Sequence, residues 1–281
     1  MKWKILADSG SCIRHEEKIT DEIGFQVVPL LINIGTELFI DDDLSKVPDL
    51  MDSMEHSKLG SSTACPSPDT YASAFMDADN VICFTISGAL SGSFNSAQLA
   101  KNLVLESHPE KNIQIIDTLS AGTEIDILVD KSIELIQAGK SFDDVVTEVE
   151  NYHQSTGLVF MLESVDNLVK NGRLNRIVGG MIGLLNIRLI GVRSDVGQIE
   201  VVHKSKGEKR AYNSIVDVLT KANFNNGRID ISHCLNESSA LKLKEVILKS
   251  FPQATINIRP TSGLCSYYAQ RGGLMVGYET I

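Results

Sequence analysis

Two short stretches of this chain concentrate small hydroxyl side chains just ahead of helix starts. One is Ser61-Ser62-Thr63-Ala64-Cys65-Pro66-Ser67-Pro68, and the other is Ile86-Ser87-Gly88-Ala89-Leu90-Ser91-Gly92-Ser93-Phe94. Hydroxyls, free backbone N–H groups and the positive end of a helix dipole together favour an anion. Gly92 lets the backbone come close to it. The same residue types are also ordinary caps and turns. Composition alone therefore leaves open whether either turn touches a ligand, and which one.

The usual catalytic patterns are missing. Gly88-Ala89-Leu90-Ser91-Gly92 places its serine one position late for a nucleophile elbow. There is no Walker A sequence and no G-x-G-x-x-G. Ser239-Ala240-Leu241-Lys242 fits S-x-x-K, but it lies in a helical stretch without the motifs that accompany it in β-lactamases. Asp8 and Asp117 each follow an apolar run and read as site carboxylates or, more simply, as turn residues. The 5 cysteines form no C-x-x-C pair and the 6 histidines no H-x-x-x-H pair, so neither a disulfide framework, a metal site nor a bound cofactor is expected.

The elements that must carry the two turns can be read from periodicity. Trp3–Ala7, Val81–Ile86 and Ile113–Ile116 are continuous β-prone runs separated by helical segments, which predicts a parallel sheet covered on both faces. Ser67-Pro68-Asp69 is a helix start followed by apolar residues at Tyr71, Ala74, Phe75 and Ala78. A second helix begins near Ser91–Phe94, with Ala97, Ala100 and Val104 on one face, and a third runs from Ser141 to about His153. Asp41-Asp42-Asp43 reads as a solvated loop or helix start. After Ser155-Thr156-Gly157 the rhythm changes. A strand at Leu158–Met161, a hairpin around Ser194–Gly197, helices near 208–222 and 237–250, and strands at Ile229–Ile231 and Thr255–Ile258 predict a second α/β unit. The expected division is an N-terminal α/β domain over 1–155 bearing the hydroxyl turns and a C-terminal α/β domain with a mixed sheet over 156–281.

Composition narrows the function classes. Hydrophobic residues make up 43% of the 281 residues and charged residues 22%, as in a folded globular protein. Lys plus Arg number 26 against 36 Asp plus Glu, a net charge of −10 that argues against nucleic acid or an anionic membrane as the main partner. No stretch approaches the ~20 apolar residues of a membrane span. Asp8 interrupts the N-terminus before any signal-peptide core could form, so a cytoplasmic location is expected.

Taken in order, several short motifs match a known pattern. Asp8-Ser9, Thr63-x-x-Pro66-Ser67, Leu90-Ser91-Gly92-Ser93, Asp117-Thr118, Gly172-Arg173, Leu184-Leu185-Asn186-Ile187 followed by Gly197, and Gly272–Tyr278 resemble the DegV family of bacterial fatty-acid-binding proteins. The resemblance implies a two-domain α/β fold that encloses a long-chain fatty acid, roughly C14–C18, with Thr63 and Ser91 on its carboxylate. It further implies a carrier without catalysis of its own, which presents the acid to a fatty-acid kinase for acyl-phosphate formation. Transient contact with a membrane fits such a carrier. Ser93, Arg173 and Tyr268 are the further candidates for contact with the ligand or the kinase, whereas Arg176 reads as a surface charge. The chain departs from the family pattern at Ser93-Phe94, where Thr-Tyr is usual, at Asn171, and at Ser120–Glu124. It departs also at Tyr268, where the family has a histidine. A tyrosine keeps a donor there but does not titrate near neutrality.

The energetics suit such a ligand. The roughly fourteen methylenes of a C16 acid, at ~0.8 kcal/mol each, give a gross term near ~11 kcal/mol. Hydrogen bonds to the charged head group add about 1.5–3 kcal/mol each, and ordering the chain takes back several. No Lys or Arg occurs in 61–68 or 86–94, so the carboxylate would be held by neutral donors and would keep its nucleophilicity. The expected apolar lining comes from 158–162 and from 177–190, where Ile177, Val178, Met181, Ile182, Leu184, Leu185 and Ile187 cluster. Two other readings stay open: an enzyme of dihydroxyacetone-kinase-like ancestry acting on a small substrate, and a lipid-binding regulatory module without the hand-off.

Overall fold

The computed structural model describes residues 2–14, 19–175 and 186–280. The first sheet has the order β2-β1-β6-β7, formed by β1 (Trp3–Asp8), β2 (Ile23–Val28), β6 (Asn80–Thr85) and β7 (Asn112–Asp117), all parallel. Its strands are apolar on both sides because both sides are covered. Trp3, Ile5, Ala7, Ile82 and Phe84 face one core, and Leu6, Val81, Cys83, Ile113 and Ile115 face another. The second core is closed by α2 (Pro68–Phe75) and α3 (Ser93–Ser107), whose buried residues include the expected Tyr71, Ala74, Phe75, Ala97, Ala100 and Val104. Ser67 caps α2 by accepting from the Thr70 N–H, with Pro68 in the first turn.

The first core is closed by α4 (Thr123–Gln137) and α5 (Phe142–His153), the latter capped by Ser141 as its sequence predicts. On its other side α4 packs against the second sheet. That sheet is mixed, with order β10-β9-β8-β13-β11-β12, from β8 (Thr156–Leu162), β9 (Ile187–Arg193), β10 (Ile199–Lys206), β11 (Arg228–His233), β12 (Thr255–Pro260) and β13 (Leu274–Glu279). Only β11 and β12 run parallel. The final strand inserts antiparallel between β8 and β11. The outer face is covered by α7 (Glu208–Lys221) and α8 (Glu237–Ser250), which bury Val159, Met161, Ile231 and Val276. Short helices α6 (Asp166–Lys170) and α9 (Gly263–Ala269) flank its inner face.

Three features depart from the sequence reading. A small sheet, β4-β3-β5, is formed by β3 (Leu31–Ile34), β4 (Glu37–Ile40) and β5 (Ser61–Ala64), with α1 (Val47–His56) between the last two. The first hydroxyl stretch is thus a strand as well as a turn, because Ser61–Ala64 pairs antiparallel with Leu31–Ile34. Within the acidic triplet, Asp43 caps a 3-10 turn and Asp42 pairs with Lys46, but Asp41 is only 3% exposed. Its carboxylate accepts from Gly263 N and Leu264 N at 2.7 Å each, so it holds the start of α9. Arg176 and the expected lining residues Ile177, Val178, Met181, Ile182, Leu184 and Leu185 lie outside the described residues.

The contact between α4 and β13 is close enough to need a bare backbone. A Cβ on Gly277 would lie 2.6 Å from the Thr123 carbonyl carbon and 2.7 Å from the Glu124 nitrogen. Gly277 N instead donates to Thr123 Oγ1 at 2.7 Å. Gly277→Ala is therefore expected to cost roughly 1–3 kcal/mol in urea unfolding. Gly60→Ala, where an added methyl meets nothing within 4 Å, is expected to stay within about 0.5 kcal/mol. Equal midpoints for the two variants would overturn the packing argument.

Candidate functional site

The carboxyl ends of β1, β6 and β7 converge on the 86–93 turn, which is clamped from several directions. Asp8 is fully buried and accepts from Gly10 N at 2.9 Å, Ile86 N at 3.0 Å and Ser93 Oγ at 2.5 Å. Asp117 accepts from Gly88 N and Leu119 N, both at 3.0 Å. Ser87 Oγ donates to the Gly197 carbonyl at 2.7 Å, tying the turn to the β9–β10 hairpin. Arg173 Nε donates to the Leu90 carbonyl at 3.0 Å. Asp8 and Asp117 are turn organisers: each holds N–H groups that would otherwise be unpaired. Ser91 is left half-buried at the tip, its Oγ accepting from Ser93 N at 3.3 Å.

Ser93 itself does not face the ligand space. It is 0% exposed, and its hydroxyl is held between Asp8 and the Tyr71 hydroxyl, 2.6 Å away. Ser93 and Ser91 are two residues apart at the start of α3, and their hydroxyls are used on different sides of the turn. The Ser93 hydroxyl thus braces the turn through Asp8 and Tyr71.

The facing wall is built by β5 and α9. Strand alternation puts Ser61 and Thr63 on one side of β5. There Ser61 Oγ lies 2.8 Å from the Tyr267 hydroxyl and Thr63 Oγ1 lies 2.9 Å from the Tyr268 hydroxyl. Asn171 Nδ2 donates to Tyr267 at 2.9 Å, and the two tyrosine rings meet edge to face with centroids 4.9 Å apart. Burial pushes the Tyr268 phenol above its ordinary value, so it stays a neutral hydroxyl across the physiological range. The partnership of Thr63 with Tyr268 joins residues 205 positions apart and leaves no sequence signal.

Between these walls lies a cavity of about 820 Å3, its open mouth included. Thr63, Ser91, Arg173 and Tyr268 all line it. Leu158, Phe160 and Leu162 of β8 form the expected apolar wall, while Ile187 is not among the lining residues. Phe160 faces Gly191 across the β8–β9 pair, where a Cβ would come within 2.3 Å of the ring. The sequence reading missed Arg193, Gln198, Ile199, Cys265 and Met275, which also line the cavity. Arg193 Nε bonds both oxygens of Glu124, at 2.8 and 2.9 Å, and Glu124 also accepts from Ser120 and Thr156. The arrangement is an apolar cavity that carries hydroxyl and guanidinium donors on its wall, a form suited to an apolar molecule with an anionic end. Among the described residues no cluster of three or more His, Cys, Asp or Glu side chains could hold a metal ion. Among them, too, no helix is long and apolar enough to cross a membrane.

Burial pushes the Asp8 carboxyl from the ordinary 3.8 up to about 7, against the lowering effect of its three donors. A carboxyl raised on folding holds its proton more tightly when folded than when unfolded. Its contribution is therefore most favourable below about pH 4 and is lost as the pH rises through about 7. The stability of the native chain minus that of Asp8→Asn is expected to fall by a few kcal/mol from pH 4 to 7 and to level off above. Urea unfolding of both proteins across that range checks this, and parallel profiles would refute it.

Comparison with known proteins gives concordant matches along the whole chain. A family model described as "Uncharacterised protein, DegV family" matches residues 2–280. A DegV domain-containing protein of Streptococcus gordonii is 46% identical over 279 residues, covering 99% of both chains. The crystal structure of the Streptococcus pneumoniae Fatty Acid Kinase (Fak) B3 protein loaded with linoleic acid superposes with a TM-score of 0.97 at 47% identity, covering 100% of both chains. A DegV family protein from Eubacterium eligens loaded with heptadecanoic acid gives a TM-score of 0.94 at 33% identity, covering 99% of this chain and 100% of the other.

Proposed function

The chain belongs to the DegV family, and from that premise we propose that it is a carrier which binds a long-chain fatty acid, roughly C14–C18, in its cavity. The carboxylate lies against the Thr63 and Ser91 hydroxyls and the chain runs along the β8 wall. The observation that carries this reading is the single cavity lined by both hydroxyls, by Tyr268 and Arg173, and by Leu158, Phe160 and Leu162. Solved relatives described as loaded with linoleic and heptadecanoic acids support the same ligand class.

Tyr268 acts behind Thr63. A Thr63 hydroxyl that donates to the carboxylate can accept from the Tyr268 hydroxyl at the same time, which fixes the direction of both hydrogen bonds. Arg173 modifies the expectation of purely neutral donors. It arrives from a distant segment, braces the Leu90 carbonyl, and brings a positive charge to the cavity wall. The acid is therefore held by hydroxyls and steadied by one nearby cation, rather than locked in a bidentate ion pair.

The carrier reading is favoured over an enzyme by what surrounds Ser91. Among the described residues no His or carboxylate bonds its hydroxyl, so no base is in place to activate it as a nucleophile. Exposed Ser62, Ala64 and Gly92 flank the two hydroxyl positions, which leaves the head-group end within reach of a partner. A fatty-acid kinase that phosphorylates the carboxylate is the partner this arrangement suits.

Native mass spectrometry of the purified protein, followed by solvent extraction, is expected to reveal one bound C14–C18 acid per chain. Ser91→Ala and Thr63→Val are each expected to weaken palmitate binding by roughly 10- to 100-fold, the equivalent of one charge-assisted hydrogen bond. A clean apo mass that also takes up neither palmitate nor oleate would overturn the carrier reading. Turnover of a small substrate without any partner would favour the enzymatic one.

A further inference from the structure

Asn171 stands behind both walls of the head-group site. It caps the end of α6, half-buried, and its amide nitrogen spends both hydrogens. One goes to the Asn167 carbonyl and the other to the Tyr267 hydroxyl, each at 2.9 Å. A backbone carbonyl only accepts, so the amide is fixed with its nitrogen on this side. The Tyr267 oxygen, having accepted from Asn171, directs its own hydrogen to Ser61 Oγ, 2.8 Å away. Asn167 Nδ2 donates to the Tyr267 carbonyl at 2.8 Å, so this buried tyrosine is held at both ends. Tyr268 rests edge to face on its ring and in turn meets Thr63 at 2.9 Å. Ser61 and Thr63 share one side of β5, and the strand is thus fastened at two neighbouring points.

The backbone of the same residue reaches the opposite wall. The Asn171 carbonyl accepts from Arg173 Nη1 at 2.5 Å, while Arg173 Nε donates to the Leu90 carbonyl at 3.0 Å. That carbonyl belongs to the rigid peptide group that carries the Ser91 nitrogen. Gly172 permits the return: its φ of +74° turns the chain, and Arg173 N comes back to the Leu168 carbonyl at 2.8 Å.

Resting on the carrier reading above, we infer that Asn171 is a positioning residue for the fatty-acid carboxylate, setting the spacing at which Thr63 and Ser91 receive it. The amide arm places the Thr63 hydroxyl through Tyr267 and Tyr268, and the carbonyl arm places the Ser91 turn through Arg173. Asn171 is not itself among the residues that line the cavity, so it acts only through these partners. A carboxylate that bonds two hydroxyls at once needs them at one fixed spacing, because a hydrogen bond weakens steeply as its distance and angle depart from the optimum. With the amide arm cut, the Ser91 turn keeps its brace while the Thr63 hydroxyl loses its reference to it. The acid then rests on Ser91 and its tail, and Thr63 adds little.

The test uses the full chain, stripped of lipid, and measures displacement of a dansyl-labelled undecanoic acid by palmitate or by hexadecanol, which has the same tail and no charge. Asn171→Ala is expected to weaken palmitate about tenfold and hexadecanol by less than about threefold. Asn171→Asp keeps the shape but cannot donate to the Asn167 carbonyl, and is expected to match Asn171→Ala. Thr63→Val is expected to cost no more than about threefold once Asn171 is alanine, against the larger loss expected in the native chain. Tyr267→Phe combined with Asn171→Ala is expected to lie within about twofold of the weaker-binding single variant, since both cut one path. Equal losses for palmitate and hexadecanol would make Asn171 a mere prop of the cavity and overturn the inference. So would unchanged palmitate affinity in both Asn171 variants, or an undiminished cost of Thr63→Val. A native chain that takes up no palmitate would overturn the carrier reading and this inference with it.

Discussion

The whole arrangement depends on acids buried on α4. This helix lies between two sheets, so the side that meets the second sheet is as dry as the side that meets the first. It nevertheless carries Glu124 and Asp126, both 0% exposed, and Asp130. A buried carboxylate is tolerated only when charge and hydrogen bonds compensate its lost hydration. The second sheet supplies both. Arg193 of β9 holds Glu124, Arg228 of β11 bonds Asp130, and Arg259 of β12 lies 3.5 Å from Asp126. Asp126 also accepts from Cys12 N and Ile13 N at 2.8 and 2.9 Å, which draws the loop after β1 into the same network. Asp230, buried on β11, completes it by accepting from Arg228, Asn257 and Arg259. Removing one member of such a network leaves a charge uncompensated, at a cost of about 3–5 kcal/mol.

That network fixes where the ligand space can be. With α4 pinned to the inner face of the second sheet, the remaining part of that face stands opposite the 86–93 turn and α9. Leu158, Phe160 and Leu162 face this gap, while Val159 and Met161 on the same strand face α7 and α8. Period-two alternation along β8 therefore separates a permanent core from a wall that needs a ligand. The glycine at 191 serves the same end, since it lets the Phe160 ring fill the space that a side chain on the neighbouring strand would take.

The strands and helices of the first sheet were legible because each relies on local signals. Ser67-Pro68 and Ser141 cap helices through their own backbones, and the buried strands are apolar runs of the right length. Thr63 and Ser91 were legible as hydroxyls in turns, and the resemblance paired them. What was not legible is long-range. Asp41 reads as part of an acidic surface triplet until α9, more than 200 residues later, presents two N–H groups to it. Ser93 and Ser91 have the same local chemistry, and only the positions of Asp8 and Tyr71 decide which one faces inward. Arg193 looks like an ordinary surface charge in the sequence, because nothing local says that a buried acid will meet it, and Arg173 stands out only through the resemblance, not through the distant carbonyl it bonds.

The placement of α4 has a consequence for how the chain comes off the ribosome. Its acids occur at 124, 126 and 130, but the arginine nearest Asp126 is residue 259. At roughly 5–20 residues per second, the 133 residues from 127 through 259 take on the order of ten seconds to make. Throughout that interval the first sheet can close over one side of the helix while the other side keeps its carboxylates in water. The N-terminal half thus waits with a hydrated, negatively charged surface that resists premature burial and discourages association between nascent chains. Only when β12 is complete can that surface be dried, so the cavity is among the last parts of the molecule to take shape.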